Sequence, residues 1–421
     1  MSTTPLSQLA QTLIGSEIVK LGADIKEKIK QGNHIYNYTI GDFDSAIFPI
    51  PAELQQQIIE AFKNGYTTYP PADGIAALRE AVADFLLQRL GLEYATNQIL
   101  IAAGGRPLIY AAYRAIVDKG EKVIYPVPSW NNNHYVHFTE GQHVTITTQQ
   151  QNNFMPTAAE ILPHVKGATL LALCSPLNPT GTTFTKQALT DICNVVIAEN
   201  ESRGPNEKKL YVLYDQIYWT LTFGATQHVN PVSLVPQMKA YTIFIDGISK
   251  SFAATGVRVG WSMGPENVIA KMKAINSHVG AWSPMAEQQA TAKYLQNNIA
   301  IDAYFLQFKA AIEQRLQHIY KGIIQLKNEG FAVDAIAPQA AIYLTIQINL
   351  VGKQTKEGKV LETQASVTAY LLNKAALAIV PFSAFGASEK STWYRLSVGT
   401  CKIEEMNEML QKLKDALEHL S

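Results

Sequence analysis

An α/β fold is predicted: a large domain with a mostly parallel sheet flanked by helices, plus a smaller α+β domain. Three features of the 421-residue sequence predict it. From about residue 98, short continuous apolar runs alternate with helical stretches. The runs are apolar throughout rather than at every second position, so the sheet they build is covered on both faces. Near residue 300 that alternation gives way to one long amphipathic stretch followed by alternating segments.

Each element can be read from local pattern. The segment 1–49 is mixed and ends at Ile40-Gly41-Asp42-Phe43-Asp44, with Pro49 and Pro51 marking a break. Helical spacing covers 53–62 and 75–90, separated by a turn-like stretch over 66–74. Strands are predicted over 98–103, 122–127, 168–175, 209–214 and 241–245, and a short Gln/Asn loop over 149–153. A long helix is predicted over 301–329, closed by Gly330. Strands over 341–348 and 393–398 and a helix over 403–420 complete the chain. Both chain ends lie outside the central sheet. The expected division is therefore 50–299 for the large domain, with 1–49 and 300–421 forming the small one.

Composition narrows the function. Apolar residues make up 47% and charged residues 17%, which suits a globular chain with a large core. The 35 Lys+Arg balance 35 Asp+Glu, which argues against a nucleic-acid partner. No apolar run approaches the roughly 18 residues of a membrane span. Cys174, Cys193 and Cys401 are too few and scattered for a disulfide framework or thiolate metal site, and read as small buried apolar residues. The pair His134 and His137 lacks a third ligand nearby in sequence. The first basic residue is Lys20, so no charged segment leads into a secretory signal, and a cytoplasmic protein is expected.

In an open α/β sheet, ligands bind beyond the carboxyl ends of the strands. After 98–103 comes Gly104-Gly105-Arg106-Pro107 at a helix start, an anion cradle or a plain turn. After 122–127 comes Trp130, core filling or a platform for a flat ring. Two prolines in Ser175-Pro176-Leu177-Asn178-Pro179-Thr180-Gly181 impose a rigid turn, in which either bond can be cis, that can aim Asn178. Asp215 either caps the next helix or pairs with a cationic ring nitrogen. Lys250 lies just past a buried strand, where desolvation lowers an amine's pKa and suits it to Schiff-base chemistry, and Arg258 comes eight residues later. Each feature alone is weak. Together they suit one ligand, pyridoxal 5′-phosphate, with its phosphate, flat ring, phenolic oxygen, pyridine nitrogen and aldehyde.

At this point the sequence resembles the class I/II aminotransferases, the fold-type I pyridoxal-phosphate enzymes, over roughly 35 to 400. The resemblance is carried by 64–80 (NGYTTYPPADGIAALRE), 99–130, 175–181 (SPLNPTG), 214–219 (YDQIYW), 249–260 (SKSFAATGVRVG), 380–386 (VPFSAFG) and 394–398 (YRLSV). It implies that Lys250 forms the Schiff base and then shuttles the substrate proton. It implies that Asp215 keeps the ring nitrogen protonated, and that Asn178 and Tyr218 hydrogen-bond the phenolic oxygen. Trp130 would stack on the ring. The phosphate would sit on Gly104, Gly105 and Arg106, with Ser249 and Arg258 beside it. Tyr69 would reach the cofactor of the neighbouring subunit, making a homodimer with shared active sites the functional unit. Arg395 would bind the substrate α-carboxylate and Gly41 would line the substrate pocket. The small domain would close over the substrate.

Two positions depart from the family pattern. Gly247 stands where many members carry a phosphate-binding serine, so that ligand is lost or replaced, with Ser249 as one substitute. Phe382 stands where a glycine is common, which puts the local pocket shape in question. The expected reaction moves an amino group between an L-amino acid and a 2-oxo acid. The resemblance to aspartate-type members makes Arg106 a candidate for a distal carboxylate, with 2-oxoglutarate as acceptor. Arg106 facing solvent or only neutralising phosphate is the open alternative. Trp282 could enter the pocket from a neighbouring chain. A pyridoxal-phosphate-dependent β C–S lyase on the same scaffold is the rival activity.

Overall fold

The computed structural model describes residues 6–15 and 17–421, with backbone only for 17–20. Seven strands form the large sheet. Their spatial order is Ile99–Ala102, Gly260–Met263, Thr242–Gly247, Tyr211–Asp215, Ala168–Cys174, Lys122–Val127 and Gln142–Thr147. Neighbours run parallel from Thr242–Gly247 across to Gln142–Thr147. Gly260–Met263 is antiparallel to both of its neighbours. Only a turn and the four-residue helix Ile248–Ser251 separate it from Thr242–Gly247. That connection holds no crossover helix, so the chain returns alongside the strand it has just left.

Five strands are where the apolar runs predict them, within a residue or two at each end. Two others lie outside those runs. Gln142–Thr147 is at the sheet edge and keeps most of its side chains exposed or half-exposed, so it carries no apolar run. Gly260–Met263 begins inside the segment that reads as a lysine signature and is four residues long. The strand over 209–214 shifts to Tyr211–Asp215, which makes Asp215 its last residue.

The large sheet is packed on both faces, by Phe85, Val196, Trp219 and Tyr294 in one core and by Leu108, Tyr113, Val136 and Met272 in another. A second sheet runs Val380–Pro381, Trp393–Ser397, Tyr343–Ile348, Val333–Ala335, with all pairs antiparallel. Its core includes Ile319, Leu344, Leu396 and Leu413. Tyr36–Asn37 pairs in parallel with Leu377–Ala378, which joins the N-terminal segment to the C-terminal part of the chain.

The long helix spans Asn298–Asn328 and starts three residues earlier than the periodicity suggests, because Asn297 Oδ1 accepts from Ala300 N and caps it. Its Ile301 is buried in the large-sheet core, and its residues from Phe308 onward are buried in the second core. The 149–153 loop contains a short 3-10 turn, Gln150–Asn152.

At one end of the large sheet the backbone is packed without side chains between. A Cβ on Gly260 would fall 2.6 Å from the carbonyl carbon of Gly104 and 2.8 Å from its Cα. Gly260→Ala must therefore displace the Gly104 turn. The expected result is a stability loss of about 1–3 kcal/mol, the usual range for overpacking, measured by denaturant unfolding.

Candidate active site

Strand ends, two helix starts and the Tyr343–Ile348 strand enclose a cavity of about 590 Å³. Lys250 reaches it from the helix Ile248–Ser251, directly after the strand Thr242–Gly247. Its Nζ donates to the Gly41 carbonyl at 2.6 Å and stands 5.6 Å from the ring centre of Phe43 and 5.8 Å from that of Tyr218. Burial pushes the amine down to about 8. Asp42 opposes the shift, while Arg395, Arg106 and Arg258 add to it.

Asp215 ends its strand facing the cavity, and its Oδ1 accepts from Ile217 N at 3.0 Å. That bond closes a turn; no helix comes next for Asp215 to cap. Burial pushes the carboxyl up to about 6, and the Ile217 N–H pulls it back only in part. No lysine or arginine among the described residues pairs with it. The site therefore offers a desolvated carboxylate that a buried cation would stabilise.

Hydrogen bonds and a cation–ring contact link side chains across to the second sheet. Tyr218 and Tyr343 share a hydroxyl–hydroxyl hydrogen bond at 2.5 Å. The Arg395 guanidinium lies 4.7 Å from the Tyr343 ring centre and 4.9 Å from that of Phe385. Its Nη1 donates to Asn178 Oδ1 at 3.0 Å and its Nη2 to the Thr39 carbonyl at 2.6 Å, while the buried Nε has no partner. Asn178 thus spends its oxygen on Arg395, and its amide nitrogen donates to no described residue. The bonds before Pro176 and Pro179 are both cis.

The opposite end of the cavity is a glycine turn. Gly104 has φ +87° and precedes the helix Gly105–Ile116, whose first N–H groups lack intrahelical partners. Arg258, itself at φ +63°, donates Nη1 to Thr255 O and Nη2 to Ala103 O, each at 2.7 Å. A Cβ on Gly104 would collide with Arg258 Nη2, so glycine is what allows the arginine to lie across the turn. Arg106 is exposed at the rim, 5.5 Å from the Trp130 ring centre. Trp130 packs on Phe385, with ring centres 6.2 Å apart.

The cavity brings together Gly41, Gly105, Arg106, Trp130, Asn178, Asp215, Tyr218, Ser249, Lys250, Arg258 and Arg395. Gly104 packs behind its wall on Arg258. Tyr69 stands apart, 84% exposed and edge-on to Trp282 with ring centres 5.2 Å apart. The two departures from the family pattern also find an account. A Cβ at Gly247 would sit 2.8 Å from Gly260 Cα and from Val259 O, so no serine fits there, while Ser249 does line the cavity. Phe382 packs against Phe154 in a separate cluster and does not line the cavity. Cys174 is not the buried core residue expected; it is half-buried on the cavity wall.

The family model described as aminotransferase class I and II matches residues 34–413. The chain belongs to that family. The aspartate aminotransferase of Bacillus sp. (strain YM-2) is 29% identical over 390 residues, covering 91% of this chain and 92% of that protein. The Streptomyces avermitilis aspartate aminotransferase is 30% identical over 394 residues, 91% of each chain. The solved aspartate aminotransferase of Rhizobium meliloti superposes with a TM-score of 0.90 at 27% identity, covering 100% of both chains. That of Thermus thermophilus with maleate gives 0.87 at 25%, covering 99% of this chain and 100% of the other. The protein is an aminotransferase, a transaminase dependent on pyridoxal phosphate, and these relatives give the lyase alternative no support.

The donor set fits that cofactor. A glycine turn with an arginine and a helix start suits a phosphate, an unpaired buried carboxylate suits a ring nitrogen, and a desolvated amine suits an aldehyde. Sequence reasoning missed Tyr343, Thr39, Phe385 and Asp42. Tyr343 reads as one more apolar position of an alternating strand, and Thr39 acts through its backbone, so neither leaves a signal.

In cofactor-free protein, the reactivity of Lys250 toward an amine-selective reagent should rise with a midpoint near pH 8 instead of near the ordinary 10.5. Peptide mapping of labelled protein across a pH series measures it, and a midpoint near 10.5 contradicts the burial argument.

Proposed function

We propose that this aminotransferase takes a dicarboxylic amino acid, of the aspartate or glutamate type, with 2-oxoglutarate as the acceptor. The observation that carries the reading is the charge of the cavity: three arginines, Arg106, Arg258 and Arg395, line it together with Lys250. Phosphate and the substrate α-carboxylate account for two anions. A distal carboxylate accounts for a third, and the rim position of Arg106 suits it. The printed names of the relatives, aspartate aminotransferase, point the same way.

Bound pyridoxal phosphate supplies an aldehyde that receives the amino group and a ring that withdraws electrons from the substrate Cα. The residues of this chain do the rest. Lys250 would hold the aldehyde covalently, and its amine, once freed, would take the proton from the substrate Cα and deliver it to the cofactor C4′. An amine near pKa 8 is matched to that task at neutral pH. Asp215 holds the ring nitrogen protonated. The Asn178 amide and Tyr218 hydroxyl address the phenolic oxygen, and Trp130 stacks on the ring. The backbone of Gly104, Gly105 and Arg106, with Ser249 and Arg258, would hold the phosphate end, which leaves the Arg106 side chain for the distal carboxylate. Arg395, with its guanidinium over the Tyr343 and Phe385 rings, would receive the α-carboxylate with its planar fork, beside the Gly41 backbone. Residues 1–49 and 300–421 act as the unit that closes over the substrate against 50–299.

The half-reaction is followed by the absorbance change of the holoenzyme as amino acids are added singly. Aspartate or glutamate should react faster than alanine, and Arg106→Ala should cut that preference by roughly 1–3 kcal/mol, the worth of a charge-assisted hydrogen bond. Unchanged discrimination in Arg106→Ala sinks the distal-carboxylate role.

The exposed Tyr69 lies in a hollow of about 560 Å³ with Tyr66, Trp282 and Glu287. Trp282 Nε1, Ser283 Oγ and Glu287 Oε2 there are buried without partners. These features support a homodimer in which Tyr69 reaches the neighbouring cofactor. Sedimentation should give twice the chain mass, and a fully active monomer contradicts it.

A further inference from the structure

One strand over from Asp215 lies a second carboxyl that the chemistry above leaves unused. Asp246 comes directly after Ile245, the residue whose Cα pairs with that of Asp215. It has no exposed surface. Its Oδ2 accepts from Trp219 Nε1 at 2.9 Å, and its Oδ1 from Gly247 N at 2.7 Å. Trp219 is the residue after Tyr218, and Gly247 stands three residues before Lys250. One side chain therefore bridges the loop that carries Tyr218 and the turn that carries Lys250.

The groups around Asp246 include no cation. Asp215 ends the neighbouring strand, but it is level with Ile245 and so points to the opposite face of the sheet. Gln216 faces it from the loop, with His228 behind: His228 Nε2 lies 3.3 Å from Gln216 Oε1 and its Nδ1 has no partner. Burial pushes His228 down to about 3, so it stays neutral. On the other side the register partner is Trp261. No lysine or arginine among the described residues forms an ion pair with Asp246. A carboxylate buried without a cation, one strand from another carboxylate, is more stable as the acid. Burial accordingly pushes Asp246 up to about 8. The Gly247 and Trp219 N–H groups pull against that shift, and the Asp215 charge adds to it. Asp215, which opens on the cavity, rises only to about 6.

We propose that Asp246, buried without a cation, is a positioning residue that as an uncharged acid braces the Tyr218 loop against the Lys250 turn.

Infrared spectroscopy of the cofactor-free protein tests the charge state without reference to aminotransfer, so it stands or falls separately from the proposed substrate. The carbonyl stretch of a protonated carboxyl should be present at pH 7, vanish as the pH rises through about 8, and be missing from Asp246→Asn. A wild-type spectrum without that band at pH 7, or the same band in Asp246→Asn, overturns the proposal. In Trp219→Phe the loss of one donor to the anion should move the ionisation to higher pH; no movement overturns the contact. The brace is read in the holoenzyme. Asp246→Asn and Trp219→Phe should each lower kcat about tenfold while KM for the amino donor stays within about twofold. Unchanged kcat in both variants overturns the positioning role. Should Asp246→Asn fail to fold, Trp219→Phe alone decides.

Discussion

The site is organised by the removal of water from charge. Lys250, Asp215, Arg395 and part of Arg258 sit where solvation is poor, and each needs a protein group to replace it. The Lys250 Nζ–Gly41 carbonyl bond is the clearest case. It satisfies a buried ammonium with a neutral acceptor, so the amine keeps a partner yet gains no counter-charge at the bond itself. That arrangement leaves the amine easily deprotonated. It also ties the turn after the central strand to the N-terminal segment, which pairs with the C-terminal part of the chain. The same bond that tunes the amine thus joins separate parts of the fold.

Arg395 is handled differently. Its two flat neighbours, Tyr343 and Phe385, contact the guanidinium faces, and Asn178 and Thr39 take up its terminal nitrogens. The planar cation is held by stacking and hydrogen bonds without a carboxylate partner. Its position is thus set while its charge is left without a counter-ion.

Much of this was legible in the residues because the chemistry sits at the ends of continuous apolar runs. Asp215, Lys250 and Asn178 each come after such a run or its turn, and the glycine pair before Arg106 marks a close backbone approach. Other parts left no trace. The edge strand Gln142–Thr147 has polar exposed positions and no run to notice. Tyr343 and Phe385 come from alternating or turn segments far along the chain, and only tertiary packing brings them to Arg395. Gly247, where a serine is common, read as a ligand lost or replaced by Ser249. The backbone of Gly260 explains it instead, since two strands approach too closely for any side chain.

The helix Asn298–Asn328 has a mechanical consequence. Its Ile301 is buried in the core of the large sheet, and Phe308, Ile312, Leu316, Ile319, Ile323 and Leu326 in that of the second. Unwinding of the short span 301–308 would therefore loosen both cores at once.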